Sequence, residues 1–520
     1  MHLLLARSDT RRREVATQAA LGASRGRIAR QLLIESGLLA GAGAMLGFLL
    51  GWICVRAASA IVPVNVIRAR DIALDMPVLG FTVLLALVTT VLAGLAPALQ
   101  LSRVNVAQVM TASRGDVAPL RRRIRRSLVV LETALSLVLV IGAALLARSF
   151  IEMRRVDLGF DPASVLTLRV ELPSAQYTDD IRVTQFYTSL IEQIETLPGV
   201  ESAAAVRVLP LTQAIGDWSI TIEGREPAPE TNPNGDWQVA TPSYLETMRI
   251  PLIDGRYPAG ASGADAPLVA VINEAMASRY WPGESALGRR FHLGTLDQPW
   301  VEIIGIIPNV RHNAVIEDAR EEMVLVHSQF VRLTGNRSSP QRGMSIVVRT
   351  SGEPLALLPA VRASIERLDA TLPVADVRTL EDVAANALAQ PRFTALLLTV
   401  FAGLALLLAA IGLYGVISFI AARRTNEIGI RLALGARPGS LVRLVMREGI
   451  VLAAAGVGVG LMAAALATRL LEAQLFGVAP LDPLTFVAVP VLLLLVAAVA
   501  AYLPARRAAA VNPVIALTAD

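Results

Sequence analysis

The chain has 520 residues, 54% of them hydrophobic and only 18% charged, with a formal net charge of +5 and a mean hydropathy of +0.55. That balance excludes an ordinary soluble enzyme and fits an integral membrane protein carrying a globular insert. The basic surplus does not point to nucleic acid. The arginines cluster beside apolar runs, at residues 11–13, 121–126, 423–424 and 506–507, as the positive-inside rule describes.

Several chemistries are missing from the composition. The sequence has no lysine, so it holds no phosphate-cradling loop G-x-x-x-x-G-K-[ST], whose lysine must reach the β- and γ-phosphates. A single cysteine, Cys54, allows no intrachain disulfide. The histidines His2, His292, His312 and His327 are scattered without metal-ligand spacing and are expected on loops or the surface. No catalytic residue, cofactor or metal is expected.

In chain order, residues 1–6 (MHLLLA) read as the last turn or two of a span. Runs long enough to cross about 30 Å of hydrocarbon then follow at 33–56, 78–100, 127–147, 393–421, 446–470 and 484–503. Gly43, Gly47 and Gly51 in the first run, and Gly456, Gly458 and Gly460 in the fifth, have the spacing of small-residue packing surfaces; simple Ala/Gly richness explains them equally. Placing each arginine cluster in the cytoplasm leaves residues of about 151–390 extracytoplasmic.

The insert alternates strand and helix patterns. SVLTLRVEL (164–172) and MSIVVRT (344–350) alternate as strands do, whereas residues 182–200 read as an amphipathic helix ended by Pro198 and Gly199. Residues 358–374 repeat that helix pattern, so the expectation is an α+β domain with a subdomain inserted at about 212–340. Four of the five tryptophans (Trp218, Trp237, Trp281, Trp300) fall in that subdomain, as core or surface aromatics or as a ligand groove.

A charged segment occurs twice. REVATQAALGA (13–23) and NEIGIRLALGA (426–436) place Glu14 and Glu427 413 positions apart, with Leu21, Gly22 and Ala23 over Leu434, Gly435 and Ala436. LAPALQLSRVNVAQVM (95–110) likewise matches LPARRAAAVNPVIAL (503–517), with Pro97 over Pro504 and Asn105 over Asn512. The first copy is weaker, with Gln18 standing where the second has Arg431. Two matched blocks imply an internal repeat.

At these residues the chain resembles the FtsX-like permease family. RRTNEIGIRLALGARPGSLVRLVMREG (423–449) looks like its cytoplasmic loop and LPARRAAAVNPVIAL like its C-terminal signature. RRSLVVLETALSLVLVIGAALLARSF (125–150), LGRRF (287–291) and VEIIGIIPNVRH (301–312) resemble the MacB type with its periplasmic core domain. The whole is similar to the C-terminal portion of a duplicated, ADOP-type ABC transporter permease.

The resemblance implies a membrane α-helical bundle of about six transmembrane helices with a large extracytoplasmic α+β domain, MacB-like. The expected domains are a partial permease module at 1–110 (the end of one span plus two spans), a cytoplasmic basic linker at 111–126 and a transmembrane helix at 127–150. The extracytoplasmic core domain follows at 151–390, then a three-span permease module at 391–520. The implied function is a permease subunit coupling ATP hydrolysis by a separate cytoplasmic ABC ATPase to motion of the external domain, by mechanotransmission, for export or envelope transport. The setting is the bacterial inner membrane, with the lipid bilayer, a second permease chain or an envelope protein as further partners. The alternatives are a non-transport scaffold or sensor regulating an envelope partner, and an inactive truncated permease.

The expected ATPase-docking residues are Glu427, Arg431, Leu434, Gly435 and Ala436, with Glu14, Leu21, Gly22 and Ala23 as a weaker repeat copy. Glu427 and Arg431 are spaced to pair on one helical face. A helix resting on lipid headgroups is the competing reading of the same segment. Glu132, close to Arg125 and Arg126 in sequence, is expected to pair with arginine at the membrane interface.

Overall fold

Apolar length organises one part of the molecule and strand pairing the other. The computed structural model describes residues 25–61, 76–88, 119–225, 233–259, 266–294, 298–312, 315, 317, 319–335, 340–423, 427, 430–432, 434 and 436–510. The chain divides into a unit of Met1–Glu152 with Pro391–Asp520 and a second unit of Met153–Gln390.

The elements in chain order are helices α1 (Arg25–Ile61), α2 (Met76–Val88) and α3 (Pro119–Met153), strand β1 (Val165–Glu171), α4 (Asp180–Glu195) and β2 (Val200–Val206). Strands β3 (Asp217–Ile222), β4 (Asn234–Ala240), β5 (Asp254–Gly255) and β6 (Val269–Asn273) follow, then α5 (Glu274–Tyr280), β7 (Arg290–Leu293), β8 (Val301–Ile307) and β9 (Glu322–Val326). The chain continues with β10 (Gly343–Thr350), α6 (Leu358–Leu368), β11 (Val374–Thr379) and α7 (Leu380–Ala387). It ends in the long helices α8 (Ala389–Arg423), α9 (Pro438–Leu470) and α10 (Pro483–Ala509).

Among the described residues, four helical stretches are long and apolar enough to cross a membrane: Arg126–Met153, Ala389–Ala422, Pro438–Leu470 and Pro483–Ala509. The other two expected spans fall on α1 and α2, whose described apolar stretches, Ala40–Ile53 and Met76–Val88, are shorter. The four long helices share two buried clusters. In one, Val129 of α3 meets Leu413 and Ile417 of α8, Leu441 and Val445 of α9, and Ala501 of α10. In the other, Leu137 and Ile141 of α3 meet Val457 of α9 and Leu493 of α10.

Small residues set how closely these helices approach. Gly456 and Gly460 of α9 lie against Thr133 and Ala134 of α3, and Gly449 against Ile417 and Ala501. Gly458, one step round the helix, faces open space, so only part of the glycine run serves packing. α8 instead turns large side chains outward, among them Val400, Phe401, Leu404, Leu407 and Ile411, as a lipid-facing helix does.

The two ends of the bundle are tied by polar contacts. At one end Arg126 of α3 pairs with Glu448 of α9, and Arg507 of α10 donates to the Tyr414 hydroxyl of α8 at 2.8 Å. At the other, Arg148 of α3 pairs with Asp482, which also caps α10 by accepting from the Thr485 N–H at 2.8 Å. There too the Phe476 N–H donates to Ser149 Oγ at 2.9 Å. Arg126 is thus engaged by Glu448, and the Glu132 carboxylate occupies the space that a side chain at Gly412 of α8 would need.

The second unit contains two sub-structures. Strands β11, β1, β10 and β2 form an antiparallel sheet in that order, with α4 between β1 and β2 and α6 between β10 and β11. This is the split βαβ, ferredoxin-like arrangement. The sequence periodicity explains its layers. α4 buries Val183, Phe186, Tyr187, Leu190, Ile191 and Ile194 at intervals of three and four, against Leu166, Leu168 and Ile346 of the sheet. Asp179 caps α4 by accepting from the Arg182 N–H at 2.9 Å. Gly199, at φ +89°, supplies the left-handed turn that leads into β2.

Between β2 and β10 the chain builds a ring. β4 pairs with β3, β3 with β7, β7 with β8, β8 with β6, β6 with β9, and β9 in parallel with β4. Closure removes the free edges that an open inserted sheet would expose. Inside lie Ile220, Val239, Ile272, Phe291, Ile303 and Leu325. Trp237 stacks on Phe330 with centroids 5.5 Å apart, Trp218 meets Trp237 edge-on at 5.2 Å, and Trp281 is buried. These three tryptophans pack in or against this core rather than forming a groove; Trp300 lies edge-on to His292 at 4.7 Å.

The histidine expectation is corrected for His292, which is on a strand, while His312 lies on a loop and His327 in a turn as expected, both away from open solvent. His292 lies buried on β7, His327 is buried in the turn after β9, and His312 pairs with Glu322 at 2.9 Å. Ring closure and the fit of the ferredoxin-like layer bury them, and neither leaves a local mark in the sequence. His2 lies outside the described residues.

Candidate coupling site

The segment between α8 and α9 carries the sequence-derived site, and its outward face is built from spacing alone. Residues 427 and 430–432 are helical, and Glu427 pairs with Arg431 at 2.7 Å, one turn apart. Both side chains are nearly half exposed. Ile430 and Leu434 are exposed as well, at 45% and 82%. Positions 427, 430, 431 and 434 follow the i, i+3, i+4, i+7 pattern of a single helical stripe.

The opposite side of the turn anchors it. Leu432 packs partly buried against the cluster that holds Leu413, Leu441 and Val445. The Leu434 N–H donates to the Ile430 carbonyl at 3.0 Å, and the Ala436 N–H to the Arg431 carbonyl at 2.9 Å. The second bond spans six residues, the closing bond of a Schellman ending. Pro438 then sits in the first turn of α9, where its missing N–H costs nothing, and Ser440 Oγ donates to the Arg437 carbonyl at 2.6 Å.

The result is a firmly rooted turn presenting one acid, one base and two uncovered apolar side chains. An ion pair this exposed contributes only about 0.3–0.5 kcal/mol to the helix. An 82%-exposed leucine contributes little to folding, so the surface composition is poorly explained by stability. Of the expected site residues, the structure brings Glu427, Arg431 and Leu434 onto one face and leaves Ala436 half-buried at the turn's end. Gly435, Glu14, Leu21, Gly22 and Ala23 lie outside the described residues, as do the matched blocks at 95–110 and 511–517. Ile430 joins the face although the sequence reading did not assign it to the site. Its signal was available, because Ile430 and Leu434 repeat the four-residue spacing of Glu427 and Arg431.

The family model for the FtsX-like permease C-terminal region matches the chain twice, at residues 2–106 and 399–513, the second match containing this turn. The model for the MacB-like periplasmic core domain matches residues 128–368. The chain belongs to the FtsX-like, MacB-like permeases.

Among relatives of this permease family, the chain is 27% identical over 294 residues to the pyoverdine export ATP-binding/permease protein PvdT of Pseudomonas putida. That match covers 53% of this chain and 42% of PvdT. It is 26% identical over 355 residues to the macrolide export ATP-binding/permease protein MacB of Rhodospirillum rubrum, covering 66% of this chain and 49% of MacB. The chain thus spans about two fifths to a half of the length of these curated relatives. Among solved structures, the periplasmic region of MacB from Actinobacillus actinomycetemcomitans aligns with 44% of this chain and 93% of that one. The TM-score is 0.31 and the identity 11%.

Proposed function

We propose that this membrane protein is the permease subunit of an ABC-type export complex, and that the stripe of Glu427, Ile430, Arg431 and Leu434 docks a separate ATPase in the cytoplasm. One observation carries the reading: an exposed face of four residues, two of them apolar, on a turn anchored to the bundle core by Leu432. Exposed apolar side chains flanked by charge are what an interface centre and its rim require. The relatives, ATP-binding/permease proteins for export, supply the partner class.

In this reading the arginine clusters place the turn inside the cell and residues of about 151–390 outside. The chain leaves the bundle after Glu152 and returns at Pro391, at the helix ends opposite those that flank the turn. Closure of the ATPase would load α8 and α9 at one end and transmit motion to the chain leading into the external domain at the other. The domain limits 1–110, 111–126, 127–150, 151–390 and 391–520 belong to the same proposal.

The experiment is a mild-detergent pull-down of the tagged chain from its native membrane. Recovery of a P-loop ATPase, lost in Glu427→Arg and Leu434→Asp while membrane insertion persists, is the expected result. Undiminished ATPase recovery by both variants overturns the docking role. Recovery of envelope proteins with no ATPase turns the reading to a scaffold.

A further inference from the structure

We propose that the cleft between the ends of β1 and β10 and the segment after β2 is a binding site for a small anion bearing carboxylate or phosphate groups. The cleft has a volume of about 580 Å³, inside the usual range for small-molecule sites, about 300–1,000 Å³. It lies wholly within the Met153–Gln390 unit and is independent of how an ATPase docks.

Its chemistry is cationic. Three guanidinium groups line it, from Arg169, Arg207 and Arg342, against a single carboxylate, Glu171. Glu171 is taken by Arg169 at 3.2 Å. Arg342 is held by neutral acceptors, its Nε donating to the Tyr177 carbonyl at 2.7 Å and its Nη2 to the Thr178 carbonyl at 3.4 Å. Arg207 donates to the carbonyls of Ile215 and Trp237 and lies 3.7 Å from the Trp237 ring centroid. Main-chain carbonyls and an aromatic face orient these two charges without neutralising them.

Among the described residues, neither Arg207 nor Arg342 has a carboxylate partner. Arg207 is also partly desolvated: burial pulls its pKa down to about 10, and its Nε is buried without an acceptor. It stays charged at neutral pH, so a positive charge is held where water screens it poorly. A fixed planar donor group with no counter-charge is the arrangement that recognises carboxylate or phosphate oxygens in pairs. Ser174 and Gln213, exposed on the rim, add neutral hydrogen-bonding groups. The stacking of Arg207, Trp237 and Phe330 ties this wall to the core of the strand ring.

The test is calorimetric titration of the detergent-solubilised full chain with three probes at constant ionic strength, so that screening does not change between them. The probes are citrate, inorganic phosphate and a short-chain phosphatidylglycerol below its micellar concentration. We expect saturable citrate binding, weakened at least about tenfold by Ser174→Glu and by Arg169→Gln. An unchanged thermal midpoint in Ser174→Glu checks the fold, since Ser174 is exposed. Binding of the phosphatidylglycerol alone, with the same sensitivity to both variants, keeps the site and makes its occupant a lipid headgroup. No saturable binding by any probe, or binding that both variants leave intact, overturns the proposal.

Discussion

Gly456 of α9 faces Thr133 of α3 so closely that a Cβ built on the glycine would stand 2.6 Å from Thr133 Cβ and 3.0 Å from the Val130 carbonyl oxygen. One turn on, a Cβ at Gly460 would lie 3.0 Å from the Ala134 Cα. The backbones therefore meet with no room for a side chain. Gly456→Leu should force α3 and α9 apart and destabilise the bundle by about 1–3 kcal/mol, read as a lowered thermal midpoint in detergent. Gly458→Leu, on a position that faces open space, should leave the midpoint near wild type. Equal effects at the two positions would refute the packing role of the first.

The pair Glu427–Arg431 separates helix stability from recognition. Glu427→Arg alone should cost the turn little, about 0.3–0.5 kcal/mol, as expected for an exposed one-turn pair. The double exchange Glu427→Arg with Arg431→Glu should restore the intrahelical attraction, yet still fail to recover the ATPase in pull-downs. The face would then present its charges in reversed order. Recovery by the double exchange would mean that the pair only holds the turn.

His327 predicts a pH dependence of the Met153–Gln390 unit. It is buried, its Nε2 lies 3.2 Å from the Gln341 carbonyl oxygen, and its ring meets Tyr187 edge-on at 5.3 Å. Burial disfavours the imidazolium and lowers its pKa from 6.5 to about 4. The unfolded chain therefore binds a proton in this window that the folded one refuses. Stability is full above pH 6.5, falls as the pH drops toward 4, and loses about 3 kcal/mol in all through this group. Intrinsic tryptophan fluorescence during thermal unfolding at pH 7 and pH 5 should show the decline. His327→Gln should flatten it, and an unchanged slope in that variant would remove His327 as the cause.

Arg349 of β10 holds the start of the Met153–Gln390 unit. Only 3% exposed, it donates from Nε to the Thr247 carbonyl at 2.7 Å, from Nη1 to Ala163 at 2.7 Å and from Nη2 to Asp161 at 2.8 Å. Arg349→Met keeps much of the packing volume and strips one buried and two part-buried carbonyls of their donor. The expected cost is about 2–4 kcal/mol, measurable as a shift in the denaturant midpoint of the tryptophan signal. A shift below about 0.5 kcal/mol would mean that water replaces the guanidinium.

Much of this molecule was legible because its signals are local and periodic. Four apolar stretches of bilayer length appear as long helices; the strands around 164–172 and 344–350 and the helix beginning near Arg182 stand close to where alternation and amphipathic spacing put them. The pairing of Glu427 with Arg431 follows from four-residue spacing alone. Each is a relation between residues at most a few turns apart, and chain geometry dictates it before any tertiary contact forms.

What the tertiary structure decided are the relations between distant segments. Whether Gly456 or Gly458 packs depends on which side of α9 meets α3, a choice made by the fit of two helices more than 300 positions apart. The parallel pairing of β4 with β9 closes the inserted strands into a ring, and that closure helps to bury residues whose sequence neighbours look like loop. Arg169, Arg207 and Arg342 carry no common motif, and they share a cleft only because β1, β10 and the segment after β2 converge there. The sequence by itself determined the membrane-spanning character, the repeat and the pairing of Glu427 with Arg431, since these rest on composition and local period. The cleft, the ring and the helix contacts needed the fold, since each depends on long-range closure that no local pattern encodes.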